Sequence, residues 1–553
     1  MKKKKKIILF VVVISLFTCL LNRQMFITIT SPLRKEINHE IKALDIPEIK
    51  LMLNEDLTKH FEELYKNYEL EQNHTKSYFK WLKQYKKNNT WQNATLEFKG
   101  ETFQILIKSH GKTPSNHKER EHISLSIKLK NNLLIRGANR FNLIIYWRVK
   151  EFNYPEYLAI AKDFNLLNQK NDLVKVKINN KKHKLYFFEY RINKTYLNEI
   201  SNLNLISLRK NNNKSLLFFD DNYDSLQNEI NNELEGGKYD YLSFEQKELT
   251  KKKFDQLNSK ILNHKHEEID SFFDIDYIAN VLAMKTISGS DDGFEKCNLI
   301  APLSLTNNKF YPIIHRDCEF REIKNSDKID SIGKYYKLLK LINRNDIIRI
   351  RKYEILYRYI STINLDSLKK SLDSIRKFHE SLYYSSKIKY LVGLSTSPPV
   401  LKNLKKIETY LSTSNPEIIF KNTKSGFQLK LNPNSFSPIS FTNFNFIDIK
   451  DFKEINLRIY EENNYSKELT ELLSKSYLFD KKDISELLAK FKFHNRLNSN
   501  MKKVNTYYVL EFELKNLNNK FIKINKENIL IKLQNKITKQ EVFYNNLQQI
   551  LEN

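Results

Sequence analysis

From Ala94 to Lys108 apolar and polar residues alternate, first in ATLEFKG and then in ETFQILIKS, which is the period of a half-buried strand and predicts a hairpin turning at Lys99-Gly100. The alternation returns at Ile123 to Leu129 (ISLSIKL), at Arg140 to Tyr146 (RFNLIIY) and on both sides of Asn179-Asn180 in VKVKINNKKHKLYFFEY. These segments predict a mostly antiparallel sheet, with the helical pattern of Tyr157 to Leu167 packed on one face of it. Upstream, residues 26–95 are charged, and Leu57, Phe61, Leu64 and Tyr65 are spaced as on one helix face, which predicts a stalk and an entry helix.

After about residue 240 the period changes to that of helices, at Ser243 to Leu262, Ile275 to Thr286 and in two long stretches over roughly 334–388. Beyond Pro398-Pro399 extended patterns resume, in PEIIFKNTKSGFQLKL, FSPISFTNFNFIDI and TYYVLEFELKNL. The expected organisation is therefore a β-rich part over 96–235, a helical part over 240–395, and a separate β-rich domain over 405–553. No internal repeat is evident.

Composition excludes a disordered chain, since 41% of the 553 residues are hydrophobic and 12% aromatic. The net charge of +28, from 93 basic and 65 acidic residues, raises polyanions as partners. The lysines are spread through an Asn-, Ile- and Tyr-rich sequence with only 10 Gly, so a solvated basic surface is the simpler reading and no specific nucleic acid is expected. Lys2 to Lys6 precede the apolar run Ile7 to Leu21, followed by no small-x-small cleavage site. This is the pattern of an uncleaved signal anchor over residues 1–25, which would leave the main body outside the cytoplasm and attached to the membrane. Cys297 and Cys318 then lie where disulfides persist and are either bridged or two small thiols.

Candidate chemistry concentrates in SGSDDGFEKCNLI, residues 288–300, and NNKFYPIIHRDCEF, residues 307–320. Phosphoryl transfer needs an acid to orient or deprotonate the acceptor, then an Asn and a further Asp to hold the metal ions that neutralise the phosphates. Asp292, Asn298 and Asp317 supply that set in that order, while Asp291 and Asp292 also suit a cap or turn at Gly293. A standard protein kinase is excluded. His315-Arg316-Asp317 has Glu322 where an Asn is required, and the Gly-rich loop, VAIK and DFG strings are absent.

Four stretches, SHGKTPSNHKEREHISLSIKLK, GANRFNLIIY, VKVKINNKKHKLYFFEYRINKTYL and SDDGFEKCNLI with KFYPIIHRD, follow the order of motifs in the CotH family of atypical spore-coat-type protein kinases, which the chain resembles over roughly 96–325. That resemblance implies an α+β, two-lobed kinase-like domain over 96–395 with a C-terminal β-rich accessory domain. It implies Mg-ATP as cofactor, either Asp292 or Asp291 as catalytic acid, Asn298 and Asp317 as metal ligands, and Glu189 as the partner of an ATP-binding Lys. The family's basic pair is replaced by Glu121-His122, so Lys118, Arg120 or Lys128 would have to substitute. The implied activity is transfer of phosphate to a hydroxyl on an extracytoplasmic protein or glycan, the family occurring in polysaccharide loci. A degenerate, pseudokinase-like envelope scaffold is the alternative. A glycan-modifying enzyme with paired carboxylates is a third, for which no clear second acid stands in the sequence.

Overall fold

The computed structural model describes residues 46–65, 83–110, 123–206, 242–290, 300–314, 320–324, 329–330, 337–383, 399–412, 416–446, 452–461, 481–497 and 503–549, apart from single positions and short breaks within them. The chain divides into two compact units, one made of residues up to Trp147 with Asp172–Phe188 and Asp373–Thr396, the other of Arg148–Asn171, Glu189–Leu372 and Ser397–Asn553.

A closed barrel of seven strands is formed by β1 (Glu48–Met52), β2 (Gln92–Phe98), β3 (Glu101–Ser109), β4 (Leu125–Leu129), β5 (Arg140–Ile145), β6 (Asn171–Ile178) and β7 (Lys184–Tyr190), in the order β1-β2-β3-β4-β5-β7-β6; it belongs to the first unit apart from Asn171 of β6 and Glu189 and Tyr190 of β7, which the division assigns to the second. The β2–β3 hairpin turns at Lys99 and Gly100, both at positive φ. Alternate residues fill the interior, with Ile49, Leu51, Leu96, Ile105, Ile107, Ile127, Phe141, Val176 and Phe188 all without exposed surface. Phe141 and Phe188 stack at 4.2 Å between ring centroids.

Closure depends on β1. It pairs antiparallel with β2 (Leu51 opposite Leu96) and parallel with β6 (Ile49 opposite Val176), joining two strands that would otherwise be sheet edges. Asn179 secures the end of β1, its side chain accepting from the Leu53 amide at 2.7 Å and donating to the Leu53 carbonyl at 3.0 Å. The closed barrel overturns the expected α+β two-lobed kinase-like fold, whose β-rich lobe is an open sheet. The physical reason is a strand of only five residues, EIKLM, inside a stretch whose dominant period is helical. The helix α1 (Glu55–Tyr65) follows directly and buries Leu57 and Phe61 as its spacing predicts.

The second unit contains α2 (Asn153–Asp163), α3 (Lys194–Ile200), β8 (Leu205–Ile206), α4 (Phe244–Leu262), α5 (Ile275–Ser288), β9 (Leu303–Ser304), α6 (Lys337–Arg344), α7 (Asp346–Thr362), α8 (Leu365–Tyr383) as far as Leu372, and α9 (Pro399–Ser412). Its core is assembled around α5, ten of whose residues are buried, from Ile278 to Ser288. The chain then forms a five-stranded sheet of β10 (Glu417–Asn422), β11 (Gly426–Asn432), β13 (Phe452–Glu461), β16 (Tyr508–Asn516) and β19 (Gln548–Gln549), ordered β13-β16-β11-β10-β19. A three-stranded sheet of β12 (Ile439–Phe446), β17 (Ile529–Asn535) and β18 (Glu541–Tyr544) shares an aromatic core with it, Phe427, Phe444 and Phe512 stacking in series, and β14 (Arg496–Leu497) and β15 (Lys503–Val504) form a separate antiparallel pair. The helix α10 (Lys481–Lys490) packs on β12 through Ile484 and Leu488. Asn535 donates to the Leu411 carbonyl at 3.1 Å, tying this β region to the end of α9.

No helix among the described residues is long and apolar enough to cross a membrane; the expected anchor, residues 1–25, lies outside them.

Candidate functional site

Asp291, Asp292, Asn298, Asp317, Lys118 and Arg120 lie outside the described residues, as do Cys297 and Cys318. The structure does describe the frame from which the two candidate segments depart. α5 ends at Ser288 with Gly289 as its left-handed cap (φ +64°), and a Cβ there would stand 2.2 Å from the Arg321 carbonyl oxygen. Only glycine permits that approach. The Arg321 amide donates to the Ser288 carbonyl at 2.7 Å, joining the beginning of the first segment to the end of the second. At the other ends the Ile313 amide donates to the Ile300 carbonyl at 2.7 Å, so residues 291–299 and 315–319 are bracketed by the same paired flanks.

Asn403 on α9 locks the first junction. It has no exposed surface, donates to the carbonyls of Ile287 (2.9 Å) and Arg321 (2.8 Å), and accepts from the Ile323 amide at 2.8 Å. Three buried backbone groups are thereby satisfied by one side chain. Glu322, next to this lock, is paired with Lys402 and Lys406 at 3.2 and 3.3 Å. Hydrogen bonds from Lys402 and then Lys406 hold its carboxyl below the usual range.

Glu189 belongs to the same unit and is buried, 6% exposed, rather than a surface acid at a strand end. The next residue, Tyr190, accepts from Gln169 Nε2 at 2.7 Å, the Gln169 amide donates to the Ile314 carbonyl at 2.7 Å, and the Ile314 amide donates to the Leu167 carbonyl at 2.8 Å. Tyr277 of α5 closes the circuit, donating to the Pro312 carbonyl at 2.5 Å and accepting from the Leu167 amide at 3.2 Å. Tyr190, next to Glu189, thus shares one hydrogen-bonded frame with the residues just before 315–319 and with α5. Lys128, the third possible substitute for an ATP-binding Lys, is exposed on β4 of the barrel.

A buried charge cluster sits among α6, α7 and α9. Asp330 accepts from Lys352, from Tyr353 at 2.5 Å and from Tyr410 at 2.6 Å, while Lys352 also donates to Asn343 at 2.8 Å. Burial pushes the Asp330 carboxyl up, but the Lys352 charge and the three donors outweigh it and hold it down at about 2. Burial, with Arg349 and Lys285 nearby, weakens the hold of Lys352 on its proton against the pull of Asp330. Sequence reasoning missed this cluster. The signal was present in Lys285, the one charged residue inside the mostly apolar ANVLAMKTIS, and in Arg349 and Lys352 one turn apart on a helix buried on that face.

Among the described residues no group of His, Cys, Asp or Glu is placed to hold a metal ion. No protein-family model matches the chain, and no curated protein matches it.

Proposed function

We propose that the chain is a phosphotransferase that moves phosphate from Mg-ATP to a hydroxyl on an extracytoplasmic protein or glycan, as its likeness to the CotH family implies. The observation that carries this reading is the double junction of Ser288 with Arg321 and of Ile300 with Ile313. Asp292 stands two residues beyond Ser290, Asn298 two before Ile300, and Asp317 three from both Ile314 and Phe320. Three residues reach at most about 11 Å, so one frame can serve an acceptor-orienting acid and two metal ligands together. In this reading Asp292 or Asp291 orients the acceptor hydroxyl and receives its proton, and Asn298 and Asp317 would hold the magnesium that shields the phosphates. The buried Glu189 would fix a cation toward them, with Lys118 and Arg120 as the candidates.

A second reading, a non-catalytic envelope scaffold, is favoured by the closed barrel, since the fold that the likeness implies is not the one adopted. Thermal-shift titration with Mg-ATP separates the two, because a ligand that binds only the folded state stabilises it by about 2.7 kcal/mol at a hundredfold excess over Kd. The phosphotransferase reading expects a rise of about 5 °C and label transfer from γ-labelled ATP, both lost in Asp317→Ala. No shift and no transfer by the unaltered protein would leave the scaffold.

A further inference from the structure

The connection between β4 and β5 holds two leucines out in water. Leu133 and Leu134 are 45% and 52% exposed, whereas Ile135 beside them is 1% exposed. Single exposed leucines are ordinary on a protein surface, so exposure alone decides nothing. The backbone decides more. The Leu129 amide donates to the Asn139 carbonyl at 2.8 Å and the Lys130 amide to the Gln104 carbonyl at 3.2 Å, which carries the ladder past the strand ends. Ile135 and Ala138 then exchange two backbone hydrogen bonds of 3.0 Å around Arg136 and Gly137, both at positive φ, the geometry of a tight two-residue turn. Arg136 is clamped to Asp172 of β6, through Nε at 3.3 Å and Nη2 at 2.8 Å, and its guanidinium lies 6.0 Å from the centroid of the Phe188 ring. A connection tied down on both sides in this way cannot fold its apolar side chains beneath itself. The two leucines are held outward.

Strand directions place this loop at the end of the barrel where the chain enters. β1 runs antiparallel to β2 with Ile49 opposite Phe98, so the residues before Glu48 arrive on the side of the Lys99-Gly100 turn. β4 is antiparallel to β3 and runs toward that side too, with Ser126 opposite Lys108 and Leu129 opposite Ile105. The sequence that arrives there carries the apolar run Ile7 to Leu21, and 26 residues separate Leu21 from Glu48. Twenty-six residues reach at most about 90 Å, so a membrane that takes up the run is tethered to the end of the barrel that bears the leucines. Lys99 and Lys130 stand at this end as well, and such side chains can reach lipid phosphates while their stems lie along apolar surface. Glu101 is there too, so the leucines rather than charge carry the contact.

We propose that Leu133 and Leu134 dip into the lipid bilayer that holds the N-terminal apolar run, a second contact that fixes the orientation of the barrel on the membrane. A bilayer suits a projecting tip, because leucine side chains enter its interface without needing a groove of matching shape. The proposal rests on the membrane attachment expected from residues 1–25 and not on phosphoryl transfer.

The test uses the full-length protein in phosphatidylcholine vesicles, with a tryptophan introduced at Leu134 or, as reference, at Met52. Met52 is also 45% exposed and stands at the far end of β1, opposite Thr95. In Leu134→Trp the added emission should shift to the blue and fall by about twofold or more when the acyl chains carry bromine near the glycerol end. In Met52→Trp it should not change. The quenching should persist in high salt, since apolar contact is not screened. Both variants should keep the melting temperature of the unaltered protein, and Leu133→Trp repeats the measurement if Leu134→Trp melts lower. Equal quenching at both positions, or quenching at neither in protein that floats with the vesicles, would overturn the proposal through the loop. Failure of the full chain to float would overturn it through the anchor. A blue shift at position 134 without quenching by bromine would show a protein surface covering the loop, and would overturn it as well. The readout contains no phosphoryl transfer, so its failure leaves that reading as it was.

Discussion

Asp330 and Lys352 are both nearly without exposed surface, at 3% and 1%, and an ion pair at that depth is held against a large desolvation penalty. The two tyrosines and Asn343 offset it by satisfying the remaining hydrogen-bonding capacity of the pair. Removing one partner should therefore be worse than removing both. Asp330→Asn is expected to destabilise by about 3–5 kcal/mol in urea unfolding, and Asp330→Leu/Lys352→Met by less than either single change. The pH dependence has a definite sign. The folded carboxyl titrates at about 2, below its ordinary 3.8, so its contribution is complete above about pH 4 and disappears as the pH falls toward 2. Melting temperatures measured across that window should decline more steeply in the unaltered protein than in the double variant.

Two glycines show how an element's end acquires meaning only from its neighbours. Gly100, at φ +81°, turns the β2–β3 hairpin and has nothing within 4 Å of the position of a Cβ. Gly289, at φ +64°, caps α5 with the Arg321 carbonyl in the way. Alanine at Gly100 meets only the conformational penalty of the left-handed region, about 1 kcal/mol. At Gly289 it must also displace a backbone oxygen that Asn403 holds, so Gly289→Ala should lose more than about 3 kcal/mol by the same unfolding measurement. A similar loss in both variants would remove the argument that the Ser288–Arg321 junction is rigid. Gly100 is marked as a turn by the hairpin pattern, and Gly289 follows shortly after the helical run that ends at Thr286. Nothing local distinguishes their surroundings.

At the scale of the molecule, the barrel rests on five residues. Leu51→Asp would put a charge into the apolar interior between β2 and β6, with an expected loss of about 3–5 kcal/mol and exposure of strand edges prone to pairing between molecules. Circular dichroism melting together with light scattering would register both effects, and an unchanged melt would mean that β1 is dispensable. The segments that became β2, β3 and β6 could be read in advance because each buries one face in a local period of two, whereas β5 and β7 are covered on both faces. The burial of Glu189 could not, because YFFEY has the same pattern whether one side or both sides of the strand are covered.

The sequence by itself determined where β2 to β7 and the helices after residue 240 form, since these follow from side chains a few residues apart, but neither the strand Glu48–Met52 nor the helix Pro399–Ser412. It also determined that acidic residues, Gly, Asn and two Cys crowd together at 288–322, since composition and spacing are local properties. Only the tertiary structure decided that the sheet closes, that Ser288 meets Arg321 and Ile300 meets Ile313, and that Asp330 finds Lys352 and two tyrosines. Those are pairings between distant segments. A strand's pattern specifies which face it buries but not which strand lies beside it, and a buried charge is tolerated only where another part of the chain supplies its partner.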